Sequence, residues 1–407
     1  LSNLVITKGG TYVGSWESTD PKTPAVVIQT DEPVVIRDSR IVSRTHCILS
    51  RSKSLDLTVH NVHGIAQNPN VLGQSPGRFA SLTKVRKVVV TNCTLDSTAG
   101  IFIGEYIGKR SGDESIVVAR NKATNIDGRF SDGVGGYLPF NSRRDKRTGV
   151  VEEGFRRVQF LQLGRCTAVP GVNVVWNSIH NDPFESRVED NINLWYSSGT
   201  PDSPIRVANN YINGAFPILP TTANGEDEEY TYNNGYSGGG IISDGGGTVP
   251  PNCKRSAHIH MFRNTVLNTT NYGCSAAHGN NTLIEKNRIL ATPYLGGEYI
   301  VAMNVGVSVG DLTKEKDGSY YNNRAVNNAI SFARRDAAGK LFRVDTWLRD
   351  TARDGAGVSL SVGNISILAR PKDTDILDSH VQEESLRWER WSRFREQKIG
   401  YQTTSTL

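Results

Sequence analysis

The sequence predicts an all-β protein, a solenoid of stacked parallel coils, on three observations. The first is a phrase repeated through the middle of the chain: an aliphatic residue, two variable positions, Asn, one variable position and usually another aliphatic residue. It occurs at Val89–Asn92, Val118–Asn121, Val174–Asn177, Val207–Asn210, Met261–Asn264 and Ile284–Asn287, and a degenerate copy at Ile36–Ile41 puts Ser39 where the others have Asn. The second is spacing. The Asn-to-Asn steps are 29, 56, 33, 54 and 23 residues, and a period of roughly 20–35 residues marks a solenoid. The two long steps are close to double the short ones, as if one turn had lost its marker or gained a loop. The third is local: Val and Ile dominate short runs, without the three- and four-residue apolar spacing of helical repeats.

The Asn has a physical reason to recur. In-register parallel strands place equivalent residues about 4.8 Å apart. An amide both donates and accepts, so a column of Asn can hydrogen-bond along the stack, and Asn also tolerates a left-handed turn. Over roughly residues 25–310 this pattern resembles the right-handed parallel β-helix proteins of the pectin-lyase-like superfamily, and more narrowly the bacterial right-handed parallel β-helix repeat proteins. The resemblance implies a right-handed coil and a secreted or cell-surface (extracellular or periplasmic) protein. It implies polysaccharide lyases and glycoside hydrolases as relatives, with tailspikes and adhesins beside them, and a groove on the side wall formed by one sheet and its loops. Trimers occur among similar proteins, so a monomer or a homotrimer is expected.

Taken in order, residues 1–33 read as an irregular first coil that ends in the apolar strand Ala25–Gln29. Coils follow from Val34 to Asn68, then a polar loop at 69–81 and a regular stretch at 85–129. The Gly-rich, then charged segment 130–155 is a first insertion that must lie outside the solenoid. The repeat returns at 156–181. A second excursion, 215–256, holds the acidic run Gly225–Glu229, three tyrosines and two glycine triplets; loops of this length commonly form a binding edge or lid. The β-helix domain is read as residues 1–343, its ladder fading after about residue 310, with a C-terminal extension at 344–407. There Trp388, Trp391, Phe394 and Arg395 or Lys398 recur at helical steps, which predicts an amphipathic helix near 380–398. Its expected role is to cover the exposed strand edge of the last coil; the alternative, a membrane-surface helix, is disfavoured by Glu383, Glu384, Glu389 and Glu396 in the same stretch.

Composition narrows the function classes. Forty Gly against two Met fit a loop-rich β protein. The formal charge of +5 comes from 46 basic and 41 acidic residues that are spread out. No basic face for nucleic acid results, only a weak attraction to polyanions such as acidic polysaccharides. No apolar run is long enough to span a membrane. The chain opens without a visible signal peptide, as a mature or trimmed chain would. Its five Cys contain no CxxC, which argues against structural zinc. Cys93 is expected to face the interior, and Cys253–Cys274 is the one plausible disulfide.

One passage is unusually dense in groups that transfer protons. Between Asn177 and Asn210 lie His180, Asp182, Glu185, Arg187, Glu189 and Asp190, followed by Trp195 and Tyr196. Strand alternation puts Arg187, Glu189 and Asn191 on one face and Val188, Asp190 and Ile192 on the other. If Val188 and Ile192 fill the interior, Arg187 and Glu189 face a groove. Two carboxylates would serve glycoside hydrolysis. A β-elimination would instead need a base beside a uronate carboxylate and positive charge for the resulting anion; Arg187, Arg129 and Arg165 are the candidates. Asp182, Glu185 and Asp190 would suit Ca²⁺ as hard ligands, yet no calcium spacing occurs and no metal ligand is assigned. The bland alternative is a solvated cluster of internal salt bridges.

Candidates for substrate binding are Trp195, Tyr196 and Tyr236, whose rings could pack on a sugar face, and Asp127, Arg129, Asp132, Asp244 and His278. The segment Asn125–Gly128 is similar to the Asn-Thr-Asp motif of polygalacturonases. Their companion motifs are missing, and Ala277-His278-Gly279 comes too late in the chain, so that family is not assigned. The glycines around Asp244 would let a ligand or another chain approach closely, or would shape a bend. His258 and His260 alternate on one strand without a third metal ligand. The function expected is polysaccharide cleavage, by lyase or hydrolase chemistry, around residues 125–245, with the mild basic charge and the arginines favouring an acidic or uronate-containing polymer. A non-catalytic polysaccharide-binding or tailspike-like protein is the alternative.

Overall fold

The computed structural model describes residues 2–348 apart from 112, 145–146, 219–220, 223–237, 247–254, 297–298, 302, 314–317 and 336–340, together with 360–362 and 364–366. The helix expected near 380–398 lies outside the described residues, as do Cys253 and Tyr236. Among the described residues there is no helix, and the chain is a parallel β-helix. The coils build three parallel sheets; most give one strand to each, while Val34–Ser43 and Leu55–Ala66 run through the second and third and Ala80–Thr91 through the first and second. In one coil the three strands are Leu161–Gly164, Asn173–Val175 and Ser178–His180; in the next they are Ile192–Trp195, Ile205–Ala208 and Tyr211–Ala215, and like pairs with like in register. Leu4–Ile6, Gly10–Tyr12 and Ser15–Ser18 already make a complete coil, stacked on the second one. The expected irregular first coil is therefore regular. Stacking continues through Ile365–Ser366.

Inward-pointing Val, Ile and Leu fill the tube. Leu161, Leu163, Ile192, Leu194, Val174, Val207, Ile179 and Ile212 are each fully buried in one continuous core. Alternation along these short strands decides which side chains enter that core and which form the outer wall.

Between the second and third sheets the chain turns on one residue in the left-handed region, at Asn92, Arg120, Trp176, Asn209, Arg263, Lys286 and Asn327, with φ of 54–60°. The next residue belongs to the ladder. Asn121, Asn177, Asn210, Asn264, Asn287, Asn328 and Asn364 each pass an Nδ2–H to the Oδ1 of the next, at 2.9–3.0 Å. Each Oδ1 above the first also accepts the backbone N–H of the Asn below, at 2.8–3.1 Å. Every amide thus closes a backbone donor that the turn leaves open. The 56-residue step joins Asn121 directly to Asn177, so the long steps are loops gained rather than markers lost.

Three details differ from the sequence reading. Asn92 occupies the turn, and the ladder position there is held by Cys93, whose N–H donates to Asn121 Oδ1 at 2.9 Å. The Cys93 thiol points at Val59 O, where each ladder Asn donates its amide to the equivalent carbonyl, as Asn121 does to Val90 O. The ladder also runs on through Asn328 and Asn364 instead of fading. And Cys274 is a free, buried thiol, like Cys47, Cys93 and Cys166.

The first insertion folds outside the tube as an antiparallel hairpin of Ser142–Arg144 and Val151–Glu153. It returns through Phe155 onto the wall of the first sheet.

Candidate active site

A groove of about 640 Å³ lies on the outer face of the first sheet. Its floor is set by strand alternation. With Ile192, Leu194 and Ile241 in the core, Asn193, Trp195, Ile242 and Asp244 point outward from Ile192–Trp195 and Ile241–Asp244, and Trp195 is in register with Asp244. Phe155, Arg157, Gln159, Arg187, Glu189 and Tyr272 complete the walls.

Alternation fails just before this strand. Val188 is buried in the core and Arg187 and Glu189 line the groove, as the sequence suggests. The chain bends at Glu189, however, so Asp190 also turns to the groove while Asn191 turns inward. Asn191 is fully buried and donates to Gly214 O at 3.1 Å and Gly239 O at 3.2 Å.

Three carboxylates meet here. Asp190 accepts hydrogen bonds from Asn193 Nδ2 at 2.9 Å, from Gly239 N at 3.2 Å and from the Tyr272 hydroxyl. The same Asn193 Nδ2 donates to Asp244 Oδ2 at 2.8 Å, so one amide nitrogen holds the facing oxygens of Asp190 and Asp244. Gly245 N closes the other oxygen of Asp244 at 2.8 Å. Glu189 accepts from Gln159 Nε2 at 2.8 Å and faces Arg157 at 3.6 Å. Arg187 is 4% exposed, stacks 3.8 Å from the Phe155 centroid and donates to Val188 O at 2.7 Å.

The glycine triplet 238–240 makes this assembly fit. A Cβ on Gly238 would lie 0.7 Å from Glu189 O, and one on Gly239 would lie 1.9 Å from the Tyr272 ring. The triplet therefore lets Tyr272 reach across one coil to Asp190.

Burial with like charge nearby raises the proton affinity of these carboxyls. Desolvation, then Asp190, pushes Glu189 up to about 8. The same two causes push Asp244 up to about 6, with Asn193 opposing them. Burial raises Asp190 as well, against the hydrogen bond from Tyr272. Burial followed by the Asp190 charge holds Tyr272 well above its ordinary value, so it stays a donor. Burial lowers Arg187 to about 10.

The remaining candidates lie elsewhere. His180 and Asp182 form an exposed pair at 3.1 Å on the third sheet, and Glu185 is exposed on the turn that follows. Asp127 is fully buried; Arg129 clamps it from Nε and Nη2 at 3.0–3.1 Å and reaches Phe184 O and Glu185 O. Asp127 and Arg187 are joined through a backbone bridge. Asp132 folds back on the N–H groups of Val134 and Gly136. Arg165 pairs with Glu105 at 2.7 Å. Tyr196 and His278 are buried behind the groove, their rings 4.7 Å apart, where Tyr196 accepts from Gly246 N and braces the loop after Asp244. His260 pairs with Glu285 at 3.1 Å. Among the described residues no three His, Cys, Asp or Glu side chains form a metal-ligand group, and no helix is long and apolar enough to cross a membrane.

Arg157, Gln159, Asn193 and Tyr272 were not foreseen. Asn193 could have been found, since alternation in Ile192–Trp195 turns it outward beside Trp195. Tyr272 comes from a coil 82 residues away in sequence, and nothing local marks it.

No family model matches the chain, and no curated protein does. Two solved structures are similar. A mutant of the periplasmic alginate epimerase AlgG is 10% identical, covering 86% of this chain and 77% of that one, with a TM-score of 0.34. The PL6 family polysaccharide lyase Pedsa3628 from Pseudopedobacter saltans is 12% identical, covering 92% and 90%, with a TM-score of 0.36.

Proposed function

We infer that the protein is a polysaccharide-cleaving enzyme acting outside the cytoplasm, and that it hydrolyses glycosidic bonds in the groove of the first sheet. One observation carries this reading: carboxylates share a groove that pushes their proton affinities apart, Glu189 to about 8 and Asp244 to about 6. Such a pair is how acid and base roles are divided at one pH. At neutral pH Glu189 keeps its proton and gives it to the glycosidic oxygen as the bond to the anomeric carbon breaks. Asp244 is ionised and takes a proton from the attacking water. Asp190 stays in place as the hub that Tyr272 and Asn193 hold, and so positions Asp244 through the shared amide. Trp195, in register with Asp244, offers an aromatic face for a pyranose ring.

The test is incubation with a panel of neutral and acidic polysaccharides. Reducing ends and the ultraviolet absorbance of unsaturated uronates are followed together. Reducing ends without new absorbance support hydrolysis, and Glu189→Gln should slow their release about 10²–10⁴-fold. If both signals rise, the reaction is a β-elimination and the acid–base assignment is wrong. Binding without either signal would make the groove a recognition site only.

A further inference from the structure

The wall of the first sheet continues toward the N-terminal coils, and its charge changes sign there. Ala80, Ile101, Leu161 and Ile192 are stacked in register. The residues two positions earlier, Arg78, Ala99, Gln159 and Asp190, therefore form a column, with His46 beyond Arg78. At about 4.8 Å per coil, Arg78 lies about 14 Å from Asp190 along the axis.

Arg78 is 5% exposed. Its guanidinium donates to one backbone carbonyl, Ala99 O, at 3.3 Å and lies 5.4 Å from the Phe102 centroid. Among the described residues it has no carboxylate partner. Its charged neighbours are instead cationic or basic. His46 Nδ1 accepts the Arg78 backbone N–H at 3.0 Å, and Arg156 is exposed and close enough to depress both groups. Burial followed by that repulsion lowers Arg78 to about 9 and His46 to about 4. An unpaired cation that is nearly buried works against folding, so its retention points to a ligand.

Phe102 supplies an apolar surface beside it. It points outward on the same wall as Gln162, its in-register neighbour. A Cβ on Gly104 or Gly164 would come within 2.8 or 3.0 Å of the ring, so the ring lies flat along the sheet.

We propose that Arg78 and Arg156, with the Phe102 ring, form a subsite for a sugar bearing a carboxylate or sulfate ester, on a chain whose scissile bond sits at Glu189 and Asp244. The identity of that chain rests on the polysaccharide reading above. The anion takes the remaining guanidinium N–H groups in charge-assisted bonds, and the pyranose face rests on Phe102.

The test is calorimetric binding by the full chain of inorganic sulfate, oligogalacturonate, a chondroitin sulfate oligosaccharide and a neutral dextran oligosaccharide, with Arg156→Ala, Arg78→Met and thermal melting alongside. An acidic oligosaccharide should bind more tightly than dextran, and each variant should weaken that binding about tenfold. Preference for chondroitin sulfate, with inorganic sulfate competing, identifies a sulfate ester; preference for oligogalacturonate identifies a carboxylate. Without ligand, Arg78→Met should melt higher than the parent, because it removes a buried unpaired charge. The exposed Arg156→Ala variant decides the question if Arg78→Met does not fold. No preference for acidic chains, or equal binding by the variants, overturns the subsite; a lower melting temperature with unchanged binding makes Arg78 structural. Arginine-dependent binding without released reducing ends would leave the subsite standing and sink the hydrolase, and released reducing ends without it would do the reverse.

Discussion

Glu189 and Asp244 owe their different proton affinities to position on the same wall. Glu189 lies beside Asp190 and is opposed by Arg157, whereas Asp244 is relieved by the Asn193 amide and the Gly245 N–H. If they are acid and base, kcat/KM follows a bell in pH. It rises as Asp244 ionises near about 6 and falls as Glu189 loses its proton near about 8. Asp244→Asn should remove the acid limb. Glu189→Gln should lower kcat about 10²–10⁴-fold on substrates whose leaving group needs a proton. Stability carries the same signature with a definite sign. Both carboxyls bind protons more tightly folded than unfolded, so the contribution of Glu189 is fully present below 4.5 and lost as pH rises through about 8, and that of Asp244 is fully present below 3.8 and lost through about 6. Melting temperatures of the parent and Glu189→Gln, compared from pH 4 to pH 9, should therefore diverge in favour of the variant at the alkaline end. A constant difference would mean that Glu189 is no harder to ionise folded than unfolded. The sequence made Arg187, Glu189, Asp190, Trp195 and Asp244 legible as candidates through their density and the glycines nearby. It also grouped His180, Asp182 and Glu185 with them, because nothing in the residues announces that the strand of His180 belongs to a different sheet.

At the scale of the element, the ladder was legible because its physics repeats: each turn exposes one backbone N–H, and an amide one coil away closes it. The slip at Asn92 has a physical cause. Asn is favoured both in the left-handed turn and in the ladder, as Asn209-Asn210 and Asn327-Asn328 show side by side, so a single Asn next to Cys93 leaves the register ambiguous. Asn328 and Asn364 do not fit the repeated phrase, because Ala325 and Ser361 stand where it has a larger aliphatic residue. Asn210→Ala would leave the buried N–H of Asn177 without its partner and cut the bonds to Val174 O and Asn264. It should destabilise the chain by roughly 3 kcal/mol or more in chemical denaturation. Cys93→Asn should do the opposite. Its amide would replace the weak thiol contact to Val59 O and extend the column beyond Asn121, adding about 1 kcal/mol. A loss on Cys93→Asn would show that the buried space around the thiol has no room for the amide.

For the whole molecule, what matters is that stacking converts sequence distance into a ruler. Residues separated by 21 to 60 positions become neighbours at one coil's spacing, and insertions of any length leave that spacing unchanged, as the direct contact of Asn121 with Asn177 shows. The sequence displayed the ruler but not the zero of each coil, so it could not say that Arg78, Phe102, Trp195 and Asp244 share one wall. Their order along that wall, cations toward the N-terminal coils and carboxylates beyond, gives the groove a direction for an anionic chain. If the charged sugar is held at Arg78 while a bond is cleaved beside Glu189, only a chain that spans the intervening coils gains from both ends. Remote binding of this kind is spent on positioning the reacting centre. With roughly one pyranose per coil, kcat/KM on acidic oligosaccharides should climb with length until about three residues extend past the cleaved bond, then level off. Neutral chains should show a smaller climb, because Phe102 and Trp195 remain but the charge does not. Arg156→Ala should flatten the climb for acidic chains alone, and added salt should act in the same direction, since Arg156 is exposed to screening. A length dependence that is identical for acidic and neutral chains would separate the two ends of the wall and leave the cations without a part in catalysis.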